Sequence, residues 1–369
     1  MLRLSPLLAV TALVLQAEGP VPLFNGRDLT GWVHEGPNPS FYVENGELRT
    51  RGSAFPPNWL RTEREYENFR LKFEYKLDEW AEAAVILRAP RTSRPQPAAI
   101  PIMLAHDFHN QVTTYVTGAI QGARKPLNAL PPSHGKWHKA EVQVWQDHIE
   151  ATIDSVKVQD VGFDTEPALL HRGRGRYIGF PDMGYKYALR NMTIEDLGPD
   201  KGWIDLFNGR SIQGWELRGG GKWSVHDGIL SGENGHGVLY APGTFQNFEL
   251  VMAVRTHQFV NSGVFLRGSS KEGETRGSEI QIYSPVDAVY PTGSVYRLSR
   301  SRLSADLEGR WFFLQIELIG ARCRVWVDGE LSAEYDRVPE SLGGPARVGF
   351  QIHSDNARVE FRDIRIRVK

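Results

Sequence analysis

The chain has 369 residues, enough for two domains of ordinary size, and its 43 Lys and Arg nearly cancel its 44 Asp and Glu. That balance excludes the electrostatic footprint of a nucleic-acid-binding protein, and a single cysteine excludes an intrachain disulfide. Stability must therefore come from hydrophobic cores.

In chain order, Met1-Leu2-Arg3 is a short basic start, Leu4 to Leu15 is apolar, and Ala17 to Gly19 supplies small residues. Residues 1–19 read as a signal peptide cleaved near Gly19, which predicts export to a bacterial periplasm or cell exterior. The apolar run is too short to span a bilayer, and no membrane span is expected after cleavage.

Leu23 to Trp32 then reads LFNGRDLTGW, and Leu206 to Trp215 reads LFNGRSIQGW, one motif repeated after 183 residues. Tyr42 to Leu48 answers to Trp223 to Leu230, Asn68 to Leu71 to Asn247 to Leu250, and Val85 to Arg88 to Val264 to Arg267. The chain is an internal duplication whose repeat unit is a whole domain. Residues 20–197 form copy one and residues 203–369 copy two, with the polar, helix-breaking Leu197 to Gly202 between them.

Strand signals dominate both copies. Lys139 to Trp145 and Ile149 to Ile153 alternate apolar and polar residues, with a turn at Asp154-Ser155. In copy two, Trp311 to Ile319 and Arg322 to Val327 pair, Asp328-Gly329 marks the next tight turn, and Val359 to Lys369 alternates with one slip. No amphipathic helix longer than about two turns is found, against a usual helical share of roughly a third. An all-β sandwich follows. His171 to Arg176 reads as a solvated basic loop, and His134, His138 and His148 as surface residues. His106, Asp107 and His109 could ligate a metal but read more simply as a wet loop.

The LFNG-x-x-x-x-GW start, the W-x-V-x-x-G-x-L strand, FLRG, EIQIYS…YPTGSVY and GFQIHS together resemble the 3-keto-disaccharide hydrolase domain family. The resemblance covers the mature chain twice and is stronger in copy two. It implies two tandem concanavalin A-like jelly-roll β-sandwiches and activity on glycosides whose C3 hydroxyl has been oxidised to a ketone.

Alternation places the candidate site. Glu279, Gln281 and Tyr283 share one face of their strand, opposite Ile280 and Ile282; Gln351 and His353 share one face, opposite Phe350 and Ile352; and Phe265 and Arg267 oppose Val264 and Leu266. Asn261, in an Asn261-Ser262-Gly263 turn, and Tyr296 would rim the basin. Copy one keeps Arg88 for Arg267, but has Pro101, Met103, Pro181 and Met183 for Glu279, Gln281, Gln351 and His353. Copy two is thus the candidate catalytic unit; copy one has a degenerate site and could be a carbohydrate-binding module.

An ordinary glycosidase needs two carboxylates about 5–9.5 Å apart, and the Glu279 strand offers one. A 3-keto glycoside needs only a base at C2, an enolate stabiliser and departure of the aglycone by β-elimination, with or without later hydration. Glu279 and His353 are candidates for base and for ligand of a divalent metal, in either assignment, and Arg267 for charge stabilisation. Gln281, Tyr283, Gln351, Asn261 and Tyr296 would bind an oligosaccharide or glycoside. The alternative from another class is a non-catalytic, lectin-like glycan-binding protein.

Overall fold

The computed structural model describes residues 19–37, 39–53, 58–78, 81–105, 111–257, 260–268, 278–285, 287–303, 306–338, 347–356 and 358–369. Residues 1–18, which hold most of the expected signal peptide, and the His106, Asp107 and His109 cluster lie outside the described residues. The chain is all-β, and its one described helix is the 3-10 turn Pro167–Leu169.

Each copy stacks an eight-stranded antiparallel sheet on a five-stranded one. Two tandem jelly-roll sandwiches result, as the duplication requires. In copy two the five-stranded sheet runs, edge to edge, Glu216–Gly219, Gly237–Tyr240, Arg347–Ile352, Asn261–Gly268 and Ser278–Tyr283. Its inner face sends Leu239, Val264, Leu266, Ile280, Ile282 and Phe350 into a core with Leu250, Met252 and Val254 of the larger sheet. Copy one builds its own core around Phe69, Leu71, Phe73, Val85 and Leu87. No residue belongs to both cores, so each half buries the apolar face of its own sheets.

The repeated motif is explained locally. Asn25 Oδ1 accepts from the backbone N–H groups of Arg27 (2.7 Å) and Asp28 (3.0 Å), and Asn208 Oδ1 does the same for Arg210 (2.8 Å) and Ser211 (2.9 Å). Each Asn folds its own turn. Trp32 is buried and donates to the Leu23 carbonyl at 3.1 Å, while Trp215 packs against its core.

The basic stretch His171 to Arg176 is not a solvated loop but part of the seam between the copies. His171 stacks on Trp326 with ring centroids 5.3 Å apart and bonds the Gly329 carbonyl at 3.1 Å. Arg174 donates to Glu249 at 2.7 Å, and the other oxygen of Glu249 meets Arg367 at 2.8 Å and Lys369 at 3.2 Å. Ala98 of copy one joins Val251 and Phe313 of copy two in an apolar cluster beside Trp203. The exposed Lys72 and Lys139 stand at the positions of Val251 and Phe313 in copy one, so only the face of copy two is built to be covered. His138 is also no free surface residue: it bonds Asp154 and Ser133 and stacks on Tyr75 at 5.2 Å.

Candidate functional site

The outer face of the five-stranded sheet in copy two is ordered in rows by its register. Phe265 pairs with both Glu279 and Gly349, and Gly349 with Tyr240. One step along, Gly263 pairs with Gln281, and Gln351 with Val238. A further step brings Asn261 beside Tyr283. Val238, Tyr240 and Phe265 form a buried apolar floor, and the polar side chains stand around it.

Asn261-Ser262-Gly263 is not a turn but the first stretch of the strand Asn261–Gly268. Ser262 points inward and donates to the Gln351 carbonyl at 2.7 Å, which ties two neighbouring strands. Gly263 leaves its place on the outer face empty, and the Glu279 side chain lies across it: a Cβ added there would stand 2.3 Å from Oε1 and 2.7 Å from Cγ. Gln281 is buried and donates to Asn261 Oδ1 at 3.0 Å, so both amides are fixed against each other. Gln351 Oε1 is buried without a partner among the described residues.

Burial pushes the Glu279 carboxyl up to about 7, against the pull of the Arg297 cation. A carboxyl poised there can take or give a proton near neutrality. Tyr296 lies on the next chain segment, where its N–H donates to the Glu279 carbonyl at 2.8 Å. Since Val295 is in the core, Tyr296 turns to the Glu279 side. Its ring meets the edge of Tyr290 with centroids 5.5 Å apart, an aromatic wall beside the acid.

Of the residues expected here, Glu279, Gln281, Asn261, Tyr283, Gln351 and Tyr296 share this face, but Arg267 and His353 do not join Glu279. Arg267 sits in a β-bulge with φ 51°, which turns it out of the alternation. It is buried and donates to the Gln246 carbonyl at 2.7 Å and the Gly320 carbonyl at 2.7 Å. Arg88 likewise donates to the Glu67 carbonyl at 2.7 Å and to Asn68 at 2.9 Å. Both copies keep this arginine because it anchors the fold, not because it serves a site.

His353 lies four residues beyond Gly349 and two strands across from Glu279, a separation of roughly 16 Å between Cα atoms at ~4.8 Å per strand and ~3.3 Å per residue. The two side chains therefore cannot share a reacting atom or a metal ion, and the expected Glu279–His353 metal pair does not fit. Instead, His353 faces His236 at the far end of the groove, both exposed, with ring centroids 5.7 Å apart. The described residues contain one cluster of three metal-type ligands, His148, Glu150 and Asp160 in copy one, and Lys157 already bridges its two carboxylates.

Copy one fills the corresponding face with apolar side chains. Ala84, at the position of Gly263, packs with Met103, Ala105, Val116, Ala119 and Met183. Trp59 is buried and donates to the Thr92 carbonyl at 3.1 Å, which removes it as a stacking platform.

Sequence reasoning missed Gly263, His236 and Arg297. Gly263 could have been found, because its change to Ala84 accompanies the loss of the acid in copy one. The other two carry no local signal.

The jelly-roll fold, together with a family model that matches both copies, makes this a carbohydrate-active sandwich protein. The chain belongs to the 3-keto-alpha-glucoside-1,2-lyase-like domain family, whose profile matches residues 19–195 and 202–367. No curated protein matches it in sequence. Among solved structures it is similar to a candidate glycosyl hydrolase from Parabacteroides distasonis ATCC 8503, at 21% identity over 49% of this chain and 95% of that one, TM-score 0.44. A carbohydrate-binding module, CBM66 from Bacillus subtilis, aligns at 14% identity over 42% of this chain and 95% of its own, TM-score 0.33.

Proposed function

We propose that copy two cleaves the glycosidic bond of 3-keto glycosides, with Glu279 as the base that removes the proton at C2. The C–H electron pair forms the C2–C3 double bond and leaves negative charge on the C3 oxygen. As the enolate collapses to the ketone, the C2–C3 π pair forms a C1–C2 double bond, and the C1–O bond breaks with its electron pair departing on the aglycone oxygen. That oxygen takes up a proton, from Glu279 or from water, and addition of water across the new double bond completes a hydrolysis.

The observation that carries this reading is a single carboxyl raised by burial to about 7, with no second one acting on it among the described residues. Glu216, at the other end of the same row of the sheet, is four strands from Glu279, ~19 Å at ~4.8 Å per strand. An acid/base glycosidase pair stands about 5–9.5 Å apart. Gln281, Asn261, Gln351 and Tyr296 are the polar groups placed to hold the sugar around C2. Tyr283 and the His236–His353 pair lie far enough along the groove to meet a second ring.

Copy one, with its groove filled, acts as a scaffold against the outer face of the larger sheet of copy two, away from the groove, and residues 1–19 direct export, as their composition suggests. The test is turnover of an aryl 3-keto-glucoside by the full chain and by its Glu279→Gln variant. A wild-type rate that survives in the variant removes Glu279 from the reaction.

A further inference from the structure

Beyond the edge strand Ser278–Tyr283, both copies lay down the same short segment. In copy two Gln281 donates to the Ser294 carbonyl at 2.9 Å and Tyr296 to the Glu279 carbonyl at 2.8 Å; in copy one Met103 donates to the Ala119 carbonyl at 2.9 Å and Gln121 to the Pro101 carbonyl at 3.0 Å. The chain then turns at Arg297 in one copy and at Gly122 in the other. Both have a left-handed backbone, φ 61° and 66°.

Space does not explain the glycine, because a Cβ at Gly122 would meet nothing nearer than 3.6 Å. The conformation does: glycine adopts it freely and a side-chain-bearing residue only at a cost. Copy two nevertheless places an arginine there, and a strained position held by a large side chain points to use of that side chain. Its neighbour changes as well, from Gln121 to Tyr296.

Arg297 is exposed, and its guanidinium carbon lies 5.2 Å from the centroid of the Tyr296 ring. No carboxylate pairs with it among the described residues. Among those residues it is the charged group acting on Glu279. Arg267, the arginine that the strand pattern offers, donates to the Gln246 and Gly320 carbonyls.

We propose that Arg297 is the cation of the Glu279 site, binding the substrate oxygen that becomes negative as Glu279 takes a proton. This rests on the reaction proposed above, in which that oxygen is the one on C3. Tyr296 holds the guanidinium in place, and the left-handed turn brings it round to the row of Glu279. Copy one, which has no acid at Pro101, has no use for the cation and reverts to glycine.

The full chain should be compared with Arg297→Gly and Arg297→Lys, using an aryl 3-keto-glucoside and following the Glu279 carboxyl by carbon NMR in the free protein. Arg297→Gly installs the residue of copy one, so thermal stability should hold or rise while kcat falls about 100-fold, as for loss of one oxyanion donor. Glu279 should titrate at higher pH in that variant, having lost an opposite charge. Arg297→Lys keeps the charge and the backbone strain, and should retain most of the rate and the wild-type titration. Wild-type kcat in Arg297→Gly, or a Glu279 titration that does not move, overturns the inference. An inactive wild-type chain would instead sink the proposed reaction, and the titration alone would then decide whether Arg297 serves Glu279.

Discussion

The Glu279 side chain occupies the space in which residue 263 would carry a Cβ, its Oε1 lying 2.3 Å from that position. The acid and the glycine sit on neighbouring strands two residues out of register, so the cross-strand diagonal is what brings them together. Copy one closes the same gap with Ala84 and gives up the carboxylate.

Gly263→Ala should therefore behave as an active-site variant although it adds one methyl group. The Cγ of Glu279 stands only 2.7 Å from the new Cβ, so the whole side chain must swing, not merely its tip. A shift of about 1 Å in a reacting group costs on the order of 100-fold in rate. Steady-state kinetics should show the loss in kcat, with a melting temperature within a few degrees of wild type. Unchanged kcat would mean that the carboxylate works from another rotamer.

The pH dependence of rate and of stability should run in opposite directions. Glu279 must be ionised to act as base, so kcat/KM should rise with pH and level off above about 7. Stability has the other sign. A carboxyl raised from 4.5 to about 7 by burial binds more protons folded than unfolded between those values. Its contribution is complete below about 4.5 and is lost as pH rises through about 7. Glu279→Gln should then be more stable than wild type at pH 8 by ~1–2 kcal/mol, discounted because the group keeps some contact with solvent, and indistinguishable at pH 4. Urea denaturation at both pH values measures this; a variant weaker than wild type at pH 8 would contradict the burial argument.

Glu249 should control whether the two copies melt together. Burial opposes its ionisation, yet Arg174, Arg367 and Lys369 hold its carboxyl down at about 2. Removing the charge with Glu249→Gln leaves three cations converging on a neutral group, a loss of ~3–5 kcal/mol for a buried pair. Calorimetry should resolve one transition in wild type and two in the variant. A single transition at the wild-type temperature would show that the apolar contacts of Ala98, Val251 and Phe313 suffice. The same seam makes truncation a poor test of the copies, because residues 203–369 alone would expose Val251, Phe313 and a buried glutamate.

Much of this fold was legible in the sequence because strand alternation and turn chemistry are local. Asp328-Gly329 was read as a tight turn, and both residues take positive φ, 47° and 80°. The slip in Val359 to Lys369 is a bulge at Asp363, φ 54°, where the pairing with Phe248–Thr256 shifts. The site was less legible for two physical reasons. Alternation fixes a face only while the strand is regular, and the bulge at Arg267 breaks it. Alternation also says nothing about register. Glu279 and His353 were each expected on the outer face, but only the pairing of Gly349 with Phe265 and of Phe265 with Glu279 shows that they are rows apart. Arg297 depends on a backbone conformation that no residue pattern announces.

Bond cleavage should require the C3 ketone. Around Glu279 the described residues offer amides, a phenol and the Arg297 cation but no partner carboxylate, so for an unoxidised glycoside Glu279 could be the acid or the nucleophile but has no second group to take the other role. A ketone at C3 changes the problem, because it acidifies the C2 proton and lets a base with a conjugate acid near 7 remove it. An aryl 3-keto-glucoside should release its phenol, and in deuterated solvent the sugar product should carry deuterium at C2 wherever water has added. The parent aryl glucoside should remain intact at the same protein concentration, and Glu279→Gln should reduce phenol release at least 100-fold, the low end for loss of a general base. His353→Ala should leave kcat on this one-ring substrate within about twofold, because the ring is roughly 16 Å from Glu279, and should raise KM only when the aglycone is a second sugar. Turnover of the parent glucoside at a matching rate would overturn the elimination chemistry, and loss of kcat in His353→Ala would return that histidine to the reacting centre.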